Sequence, residues 1–373
     1  MRIAFDHQAF CLQKMGGISR YFFHLAQQMA IAGQDVSVFS PFYRNQYAKQ
    51  LSPKVLHGCY MNDYPSRCAG AAVSLNGILA RRQLRAWQPD VVHETYFSNT
   101  RSGSGKTPTV LTVFDMIGEL GLDAEAPTPA ELKQSKKYAA VKRADHVICI
   151  SEHTRKDLIR LYEVAPEKTS TIHLGCELNI QADKKESTAQ RPYLLYVGVR
   201  SGYKNFARFV RAAANNAQLN EQFDIVAFGG GPFNSAERDF IQELDLRFDQ
   251  VRQISGDDAL LAEHYRNASV LVYPSCYEGF GLPPLEAMAN QCPVVSSHAS
   301  AIPEVIGDAA EFFDPLDLDS IANAIQNVVY SPARTNELIA KGLARVQRFN
   351  WQTCAERHLA LYRSLISVAA NAQ

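Results

Sequence analysis

The amino-acid sequence predicts an α/β protein with two doubly wound domains, each built on a parallel sheet. Short apolar runs bounded by turn residues alternate with longer segments of helical periodicity, which is the pattern of successive βαβ units. The length of 373 residues suits two domains of ordinary size. A polar stretch at 178–192 has few aliphatic residues, and a new apolar run begins directly after it. We therefore expect a linker at 178–192.

The elements follow the chain in alternating order. The predicted strands are 2–5, 35–39, 91–93, 109–114 and 147–150 before the linker, and 193–197, 223–228, 270–273 and 294–296 after it. The predicted helices are 17–32, 67–87, 129–143, 152–162, 205–217, 237–247, 260–268, 284–289, 318–329 and 333–348. A last apolar-periodic helix is expected to pack back on the first domain. The predicted domains are therefore 1–180 together with 350–373, and 190–349.

Composition excludes several classes of protein. Lys and Arg (38) balance Asp and Glu (38), so no overall charge attracts nucleic acid. No run approaches the roughly 20 apolar residues of a membrane-spanning helix, and no signal peptide is visible, which predicts a cytoplasmic protein. The eight cysteines show no C-x-x-C pair, so neither a zinc site nor a disulfide framework is expected.

The segment 273–305 carries the most informative pattern. It begins where a buried strand should end, and ligands of open α/β sheets lie beyond the carboxyl ends of strands. Glu278 and Glu286 flank a Gly-Phe-Gly run and two prolines, which predicts a loop whose N–H groups approach an anion at a helix start. The alternative interpretation is an ordinary strand-to-helix loop with solvated glutamates.

A second basic motif follows the first strand of the second domain. Arg200 and Lys204 lie four residues apart just past that strand, and Asn205 suits a helix cap. Two cations in this position could neutralise the charge of an anionic ligand. The alternative is a solvated basic loop.

These motifs, in this order along nearly the whole chain, resemble the retaining glycosyltransferases of family four. Y-E-G-F-G-L-P-P-L-E (277–286) is similar to the family's E-x7-E motif, and G-V-R-S-G-Y-K-N (198–205) to its Gly…Arg…Lys-Asn pattern. The resemblance implies the GT-B fold, two Rossmann-like domains facing each other across a cleft. It implies that Glu286 binds the donor's ribose, that Glu278 faces the transferred sugar, and that Arg200 and Lys204 contact the diphosphate. It assigns backbone contacts with that diphosphate to Gly279, Phe280, Gly281 and Leu282.

Further residues are assigned by the same resemblance. Gly16 and Gly17 resemble the family's glycine loop near the donor phosphate, and Gly229 lies in a turn beside the nucleotide. Ser255 and Gly256 resemble the place where the base meets the main chain. Asp115 resembles the aspartate of a His-Asp pair, although Phe114 stands where many members have His. The nearest imidazole, His93, is more typical of a structural residue at a strand end.

The implied reaction is a retaining transfer of a hexose from a nucleotide diphosphate sugar to a saccharide or lipid-linked saccharide, forming an α bond in bacterial surface polysaccharide. The best prediction for the donor is GDP-mannose. No cofactor and no metal are expected. The arginine-bearing segment 67–87 suggests a peripheral membrane contact at the inner face, or else an ordinary surface helix. Two alternatives remain open, a catalytically silent nucleotide-sugar binding protein and a GT-B nucleotide-sugar epimerase.

Overall fold

The computed structural model describes residues 1–64, 69–177, 191–200, 202–244, 246–247 and 249–371, and within 69–72 the backbone alone. The chain divides into two compact units. Unit 1 contains 1–119, 127–175 and 351–373, and unit 2 contains 120–126 and 176–350. Segment 120–126, which the sequence analysis assigns to the first domain, clusters with unit 2. Most of the linker expected at 178–192 lies outside the described residues, as do residues 67 and 68 of the predicted helix 67–87.

Unit 1 is built on a sheet of seven parallel strands. The strands are β1 (Arg2–Phe5), β2 (Asp35–Tyr43), β3 (Leu56–Tyr60), β4 (Val91–Glu94), β5 (Thr109–Val113), β6 (His146–Cys149) and β7 (Thr169–Thr171). Their order across the sheet is β3-β2-β1-β4-β5-β6-β7, and each neighbouring pair is parallel. The order along the sheet reverses between β1 and β4. The helices are α1 (Gln8–Leu12), α2 (Gly17–Ile31), α3 (Ala69–Trp87), α4 (Pro129–Gln134), α5 (Lys136–Arg143) and α6 (Glu152–Tyr162).

Unit 2 repeats the plan with six parallel strands. These are β8 (Tyr193–Val197), β9 (Asp224–Phe228), β10 (Val251–Ile254), β11 (Val270–Tyr273), β12 (Val294–Ser297) and β13 (Glu311–Phe313). Their order is β10-β9-β8-β11-β12-β13, so the reversal lies between β8 and β11. Its helices are α7 (Phe206–Asn215), α8 (Ala217–Gln222), α9 (Ser235–Gln242), α10 (Asp258–Asn267), α11 (Leu282–Ala289), α12 (Ile302–Ile306), α13 (Leu318–Val329) and α14 (Pro332–Val346).

The strands absent from the sequence prediction are β3, β7, β10 and β13, and all four form sheet edges. An edge strand buries fewer of its side chains, so it lacks the continuous apolar run by which a central parallel strand is recognised. In β10 no residue is fully buried, whereas every residue of β9 and β11 is. The predicted helix 129–143 is also divided in two, because Ser135 adopts an extended conformation and caps the second half.

The last helix, α15 (Trp351–Asn371), belongs to unit 1. The chain leaves unit 1 at Gly175 and re-enters it at Trp351, and these two residues touch, since a Cβ at Gly175 would lie 2.5 Å from the indole. On the unit 2 side, the Cys176 N–H donates to the Phe349 carbonyl at 2.8 Å. The two crossing segments therefore run side by side.

A buried chain of hydrogen bonds fastens α15 to the sheet of unit 1. The Cys354 carbonyl can only accept, so His358 donates to it through Nδ1 (2.7 Å) and its Nε2 accepts from the Tyr21 hydroxyl (2.7 Å). Thr112 then donates to Tyr21, and His93 Nε2 donates to Thr112. The chain closes with Tyr362 donating to His93 Nδ1 at 2.6 Å. With both imidazoles neutral, every link of this chain has one donor and one acceptor.

Burial favours the neutral form of both imidazoles. Burial lowers the pKa of His93 well below its usual value and that of His358 to about 4. His93 is thus fully buried, and both of its ring nitrogens have partners within this chain of hydrogen bonds. Among the described residues, no helix combines the length and apolar composition needed to span a bilayer.

We predict that unit 1 loses stability in mild acid through these histidines. Between pH 6.5 and about 4 the unfolded chain binds a proton at His358 that the folded chain excludes, so the free energy of unfolding falls as pH falls. From pH 7 to 5 the loss from this residue is about 2 kcal/mol. Urea unfolding at both pH values should show a smaller pH difference for His358→Gln than for wild type. Equal pH differences in the two proteins would refute the prediction.

Candidate functional site

The candidate site of unit 2 lies where its strand order reverses. Strands β8 and β11 are neighbours there, with Leu195 paired to Leu271, yet their connections lead to opposite sides of the sheet. The loops that leave the carboxyl ends of such a pair must diverge, and the crevice between them is where open α/β sheets bind ligands. The loop after β8 carries Arg200 and Lys204, and the loop after β11 carries Glu278.

An ion pair spans this crevice. Lys204 Nζ lies 2.7 and 3.0 Å from the two oxygens of Glu278, and the two side chains are 19% and 9% exposed. The bases of both loops are joined beneath it, because Asn205 donates through Nδ2 to the carbonyls of Pro274 and Pro315. The pair is therefore held in place before any ligand arrives.

Buried polar groups orient the two glutamates. The Glu278 N–H donates to Ser300 Oγ at 2.7 Å, and the hydroxyl of Tyr273 hydrogen-bonds the carboxylate. The Tyr265 hydroxyl donates to Glu286 at 3.2 Å. Burial, followed by the neighbouring glutamate, raises the pKa of both tyrosines well above the usual value, so they remain protonated donors. The two tyrosines and Ser300 are not among the site residues predicted from the sequence. A Tyr in an apolar strand or helix is typical of a core residue.

The start of α11 provides backbone donors beside the ion pair. Gly281 precedes the helix with φ +118°, a conformation that favours glycine. Pro283 and Pro284 have no N–H, so the donors at this end come from the loop and from the first helical residue. The N–H groups of Gly281 and Leu282 make no hydrogen bond within the part of the chain that the structure describes. Such groups at a helix start attract an anion.

Arg200 is placed differently from its sequence assignment. Its guanidinium is 3% exposed, pairs with Glu237 at 2.7 Å, and donates to the carbonyls of Gly229 and Gly231, both at 2.9 Å. A Cβ at Gly230, where φ is +71°, would overlap Arg200 Nη1 at 2.6 Å. Arg200 thus holds the glycine turn and does not join Lys204 in the crevice. Glu237 was missed, although the spacing Asn234-x-x-Glu237 marks the capping box found here.

The remaining donor residues lie at the same sheet edge. Gly229 follows β9 and donates its N–H to the Ile254 carbonyl, which joins the ends of β9 and β10. Ser255 and Gly256 follow β10 and are exposed. Gln253 Nε2 bridges the Gly229 carbonyl (3.2 Å) and Ser255 Oγ (2.7 Å). The structure thus brings the expected nucleotide-side loops together at one edge of unit 2.

In unit 1 the predicted residues occupy separate loops. Gly16 and Gly17 begin α2, where the Gln13 side chain already accepts the Ser19 N–H at 3.1 Å. Asp115 follows β5, and its carboxylate accepts the Ile117 N–H at 3.1 Å. No group of three or more His, Cys, Asp or Glu side chains suited to a metal ion occurs within the described ranges.

Comparisons with known proteins agree with this architecture. A model of the family described as Glycosyltransferase Family 4 matches residues 15–180, and one described as Glycosyl transferases group 1 matches 179–345. O-antigen chain mannosyltransferase B of Escherichia coli is 28% identical over 61% of this chain and 63% of its own length. D-inositol 3-phosphate glycosyltransferase 1 of Catenulispora acidiphila is 29% identical over 94% of this chain and 91% of its own length.

The fold also matches solved structures. Sucrose-phosphate synthase from Thermosynechococcus elongatus superposes with a TM-score of 0.74 at 24% identity, covering 98% of this chain and 99% of that one. The chain spans about three fifths of the length of the E. coli relative and nearly all of the other two proteins. Since the two family models together match residues 15–345, the chain belongs to the family-four glycosyltransferases and has their GT-B fold.

Proposed function

We propose that the chain transfers mannose from GDP-mannose to a saccharide or lipid-linked saccharide during assembly of a bacterial surface polysaccharide. The name of the E. coli relative supports mannose and O-antigen. The observation that carries the proposal is the Lys204–Glu278 pair beside the free N–H groups of Gly281 and Leu282. One position there offers both an anion site and a carboxylate that can accept hydrogen bonds from sugar hydroxyls.

The diphosphate of the donor is assigned to the start of α11. The N–H groups of Gly281 and Leu282 would contact its oxygens, and the partial positive charge of the helix end would favour them. Gly279 and Phe280 belong to the same loop. Lys204 has three N–H donors, so it can keep a contact with Glu278 while it binds the phosphate next to the sugar.

The two glutamates have separate roles in this proposal. Glu278, held by Lys204 and Tyr273, accepts hydrogen bonds from hydroxyls of the transferred sugar. Glu286, held by Tyr265, accepts hydrogen bonds from the ribose hydroxyls. Such charge-assisted bonds contribute roughly 1.5–3 kcal/mol each. Ser255 and Gly256 are assigned to the base through their exposed main chain.

The reaction is proposed to retain the configuration at the anomeric carbon. The bond from that carbon to the diphosphate oxygen breaks, and the acceptor oxygen forms its bond on the same face. The acceptor's hydroxyl proton passes to an oxygen of the departing diphosphate. The protein contributes orientation and stabilisation of charge, with Lys204 and the start of α11 in the place of a divalent metal.

The first unit is proposed to supply acceptor contacts. Asp115 is kept as a candidate for contact with the transferred sugar, and the Gly16–Gly17 loop as a candidate for contact with the donor phosphate. We also propose that the enzyme works in the cytoplasm at the inner face of the membrane. The support for this is that α3 carries Arg82 and Arg85 beside Leu75, which is 50% exposed.

We predict that GDP stabilises the protein without added metal and that Glu286→Ala abolishes the effect. At a nucleotide concentration 100 times Kd, mass action adds about 2.7 kcal/mol, which raises Tm by about 5 °C or more. Thermal unfolding with a panel of nucleotides measures this shift. Glu263→Ala, an exposed change on α10, should respond as wild type does. Absence of stabilisation by every nucleotide, or an equal response of Glu286→Ala, would instead favour a different role for the crevice.

Removing either partner of the ion pair should impair catalysis. Lys204→Met and Glu278→Gln should each lower kcat/KM by about 10²–10³, the loss seen when one stabilising group is removed from a transition-state site. The double variant should lose less than the product of the two single losses, because each residue holds the other. Steady-state kinetics with GDP-mannose tests this, with Lys204→Arg as the variant that keeps the charge. A loss in the double variant equal to the product of the two single losses, so that the free energies add, would show that the two side chains act independently.

We predict an α-linked product and full activity in EDTA. NMR of the first product formed gives its anomeric configuration, and assays with and without EDTA give the metal dependence. A β-linked product would contradict the same-face mechanism, and loss of activity in EDTA would contradict the assignment of Lys204 and α11. Conversion of the donor without an acceptor would favour the epimerase alternative, and GDP binding without any turnover the silent binding protein.

A further inference from the structure

Unit 1 contains a cavity of about 460 Å³ at the reversal point of its own sheet. Its walls come from the residues that follow β1 and β4, which are neighbours in the sheet, and from α3. His7 and Gln8 follow β1, and Tyr96 and Phe97 follow β4. Ligands of open α/β sheets bind in this position, and none of the donor-site residues proposed above lines the cavity.

The lining of this cavity carries positive charge. Arg81 and Lys136 line it, and its walls include no Asp or Glu. Within the described chain, Arg81 makes one hydrogen bond, from Nη1 to Thr100 Oγ1 at 3.2 Å, and Lys136 makes no ion pair. Asp6, which precedes His7 in the sequence, is 1% exposed and does not line the cavity. Two uncompensated cations in one concave site favour an anionic ligand.

His7 adds a polar group that lacks a partner. His7 is 8% exposed, and its Nδ1 has no hydrogen-bond partner among the described residues. The missing side chain of Gly77 makes room for the ring, since a Cβ there would lie 3.2 Å from His7 Nε2. Burial lowers the pKa of His7, so the neutral imidazole offers one donor and one acceptor at neutral pH. The His7 ring thus forms a polar part of the cavity wall.

The other walls suit a sugar ring. Tyr96 and Phe97 lie with ring centroids 4.8 Å apart, and the adjoining Ser98 and Asn99 supply hydroxyl and amide groups. Aromatic faces beside a few placed polar groups are typical of small polar ligand sites. The rim includes Ile78, which is 44% exposed and offers an apolar surface.

We propose that this cavity binds the acceptor as a phosphate-bearing saccharide, with the phosphate at Arg81 and Lys136 and the sugar against Tyr96 and His7. The inference rests on the proposed function, because it assigns the acceptor of that reaction. The phosphate belongs either to a free sugar phosphate or to a lipid-linked one, and the same contacts serve both.

Isothermal titration calorimetry of the full chain with mannose 1-phosphate tests the proposal. Wild type should bind mannose 1-phosphate at least 10-fold more tightly than methyl α-mannoside. Arg81→Gln should weaken this binding at least 10-fold, whereas the matched change Arg82→Gln, one residue further along α3 and outside the cavity, should alter it less than twofold. Equal affinity for the two ligands, or equal effects of the two variants, would overturn the assignment.

A second variant tests the cavity by filling it while its charged residues stay in place. Gly77→Leu should abolish binding of mannose 1-phosphate while far-UV circular dichroism and the GDP thermal shift persist. Glu286→Ala should lose the GDP shift and keep mannose 1-phosphate, which locates this ligand outside unit 2. A retained GDP shift with no sugar-phosphate binding would refute the acceptor cavity alone, whereas the reverse result would refute the donor site alone.

Vesicles distinguish the two sources of phosphate. Cosedimentation with vesicles of phosphatidylcholine containing phosphatidylinositol, reduced more by Arg81→Gln than by Arg82→Gln, assigns the cavity to a lipid-linked headgroup. Binding of mannose 1-phosphate without such cosedimentation assigns it to a free sugar phosphate. Equal cosedimentation of both variants together with no binding of mannose 1-phosphate would show a membrane-surface helix and no saccharide site.

Discussion

A single reversal of strand order in each sheet determines where the functional groups of this protein can meet. All neighbouring strands are parallel, so every loop that carries a candidate residue leaves from the carboxyl edge. Only between β8 and β11, and between β1 and β4, do adjacent loops diverge and leave a crevice. Lys204 and Glu278 fill the first with an ion pair that is largely shielded from water. Breaking such a pair leaves an uncompensated charge, at a cost of roughly 3–5 kcal/mol, so an anionic ligand that keeps Lys204 paired is favoured over solvent.

The sequence predicts the central strands and most of the candidate site, and the remainder depends on contacts that periodicity does not encode. Glu278, Lys204 and Glu286 follow from a strand end, a glycine-rich loop and a helix start, which are local patterns. Arg200 has the same local pattern as Lys204, yet Glu237, 37 residues later, and the carbonyls of a glycine turn compete for it. A partner so distant in sequence cannot be found from spacing. The edge strands were missed for a related reason, since their pairing on one side only leaves a weak apolar signal.

The buried histidines of unit 1 differ in how far their hydrogen-bonding groups find partners among the described residues. His93 and His358 occupy a one-way chain of hydrogen bonds in which every donor has an acceptor, and both are held neutral at the contact of α15 with the sheet. His7 is buried to a similar degree but has a nitrogen without a partner, beside a cavity. Burial alone therefore does not identify a functional imidazole. Whether its hydrogen bonds are satisfied is the more informative property.

The chain crosses between the units at 175–176 and again at 350–351, and these two crossings adjoin. This arrangement affects how such enzymes can diversify. Gly175 touches Trp351, and Cys176 is hydrogen-bonded to Phe349, so residues 176–350 start and finish at one place. Topologically, unit 2 is an insertion with adjoining ends, apart from the short segment 120–126 that joins it. Insertions whose ends lie close together are exchanged with little disturbance of the host. A recombination event with breakpoints at these two junctions would replace unit 2 and its Lys204–Glu278 crevice as a cassette and leave α15 docked on unit 1.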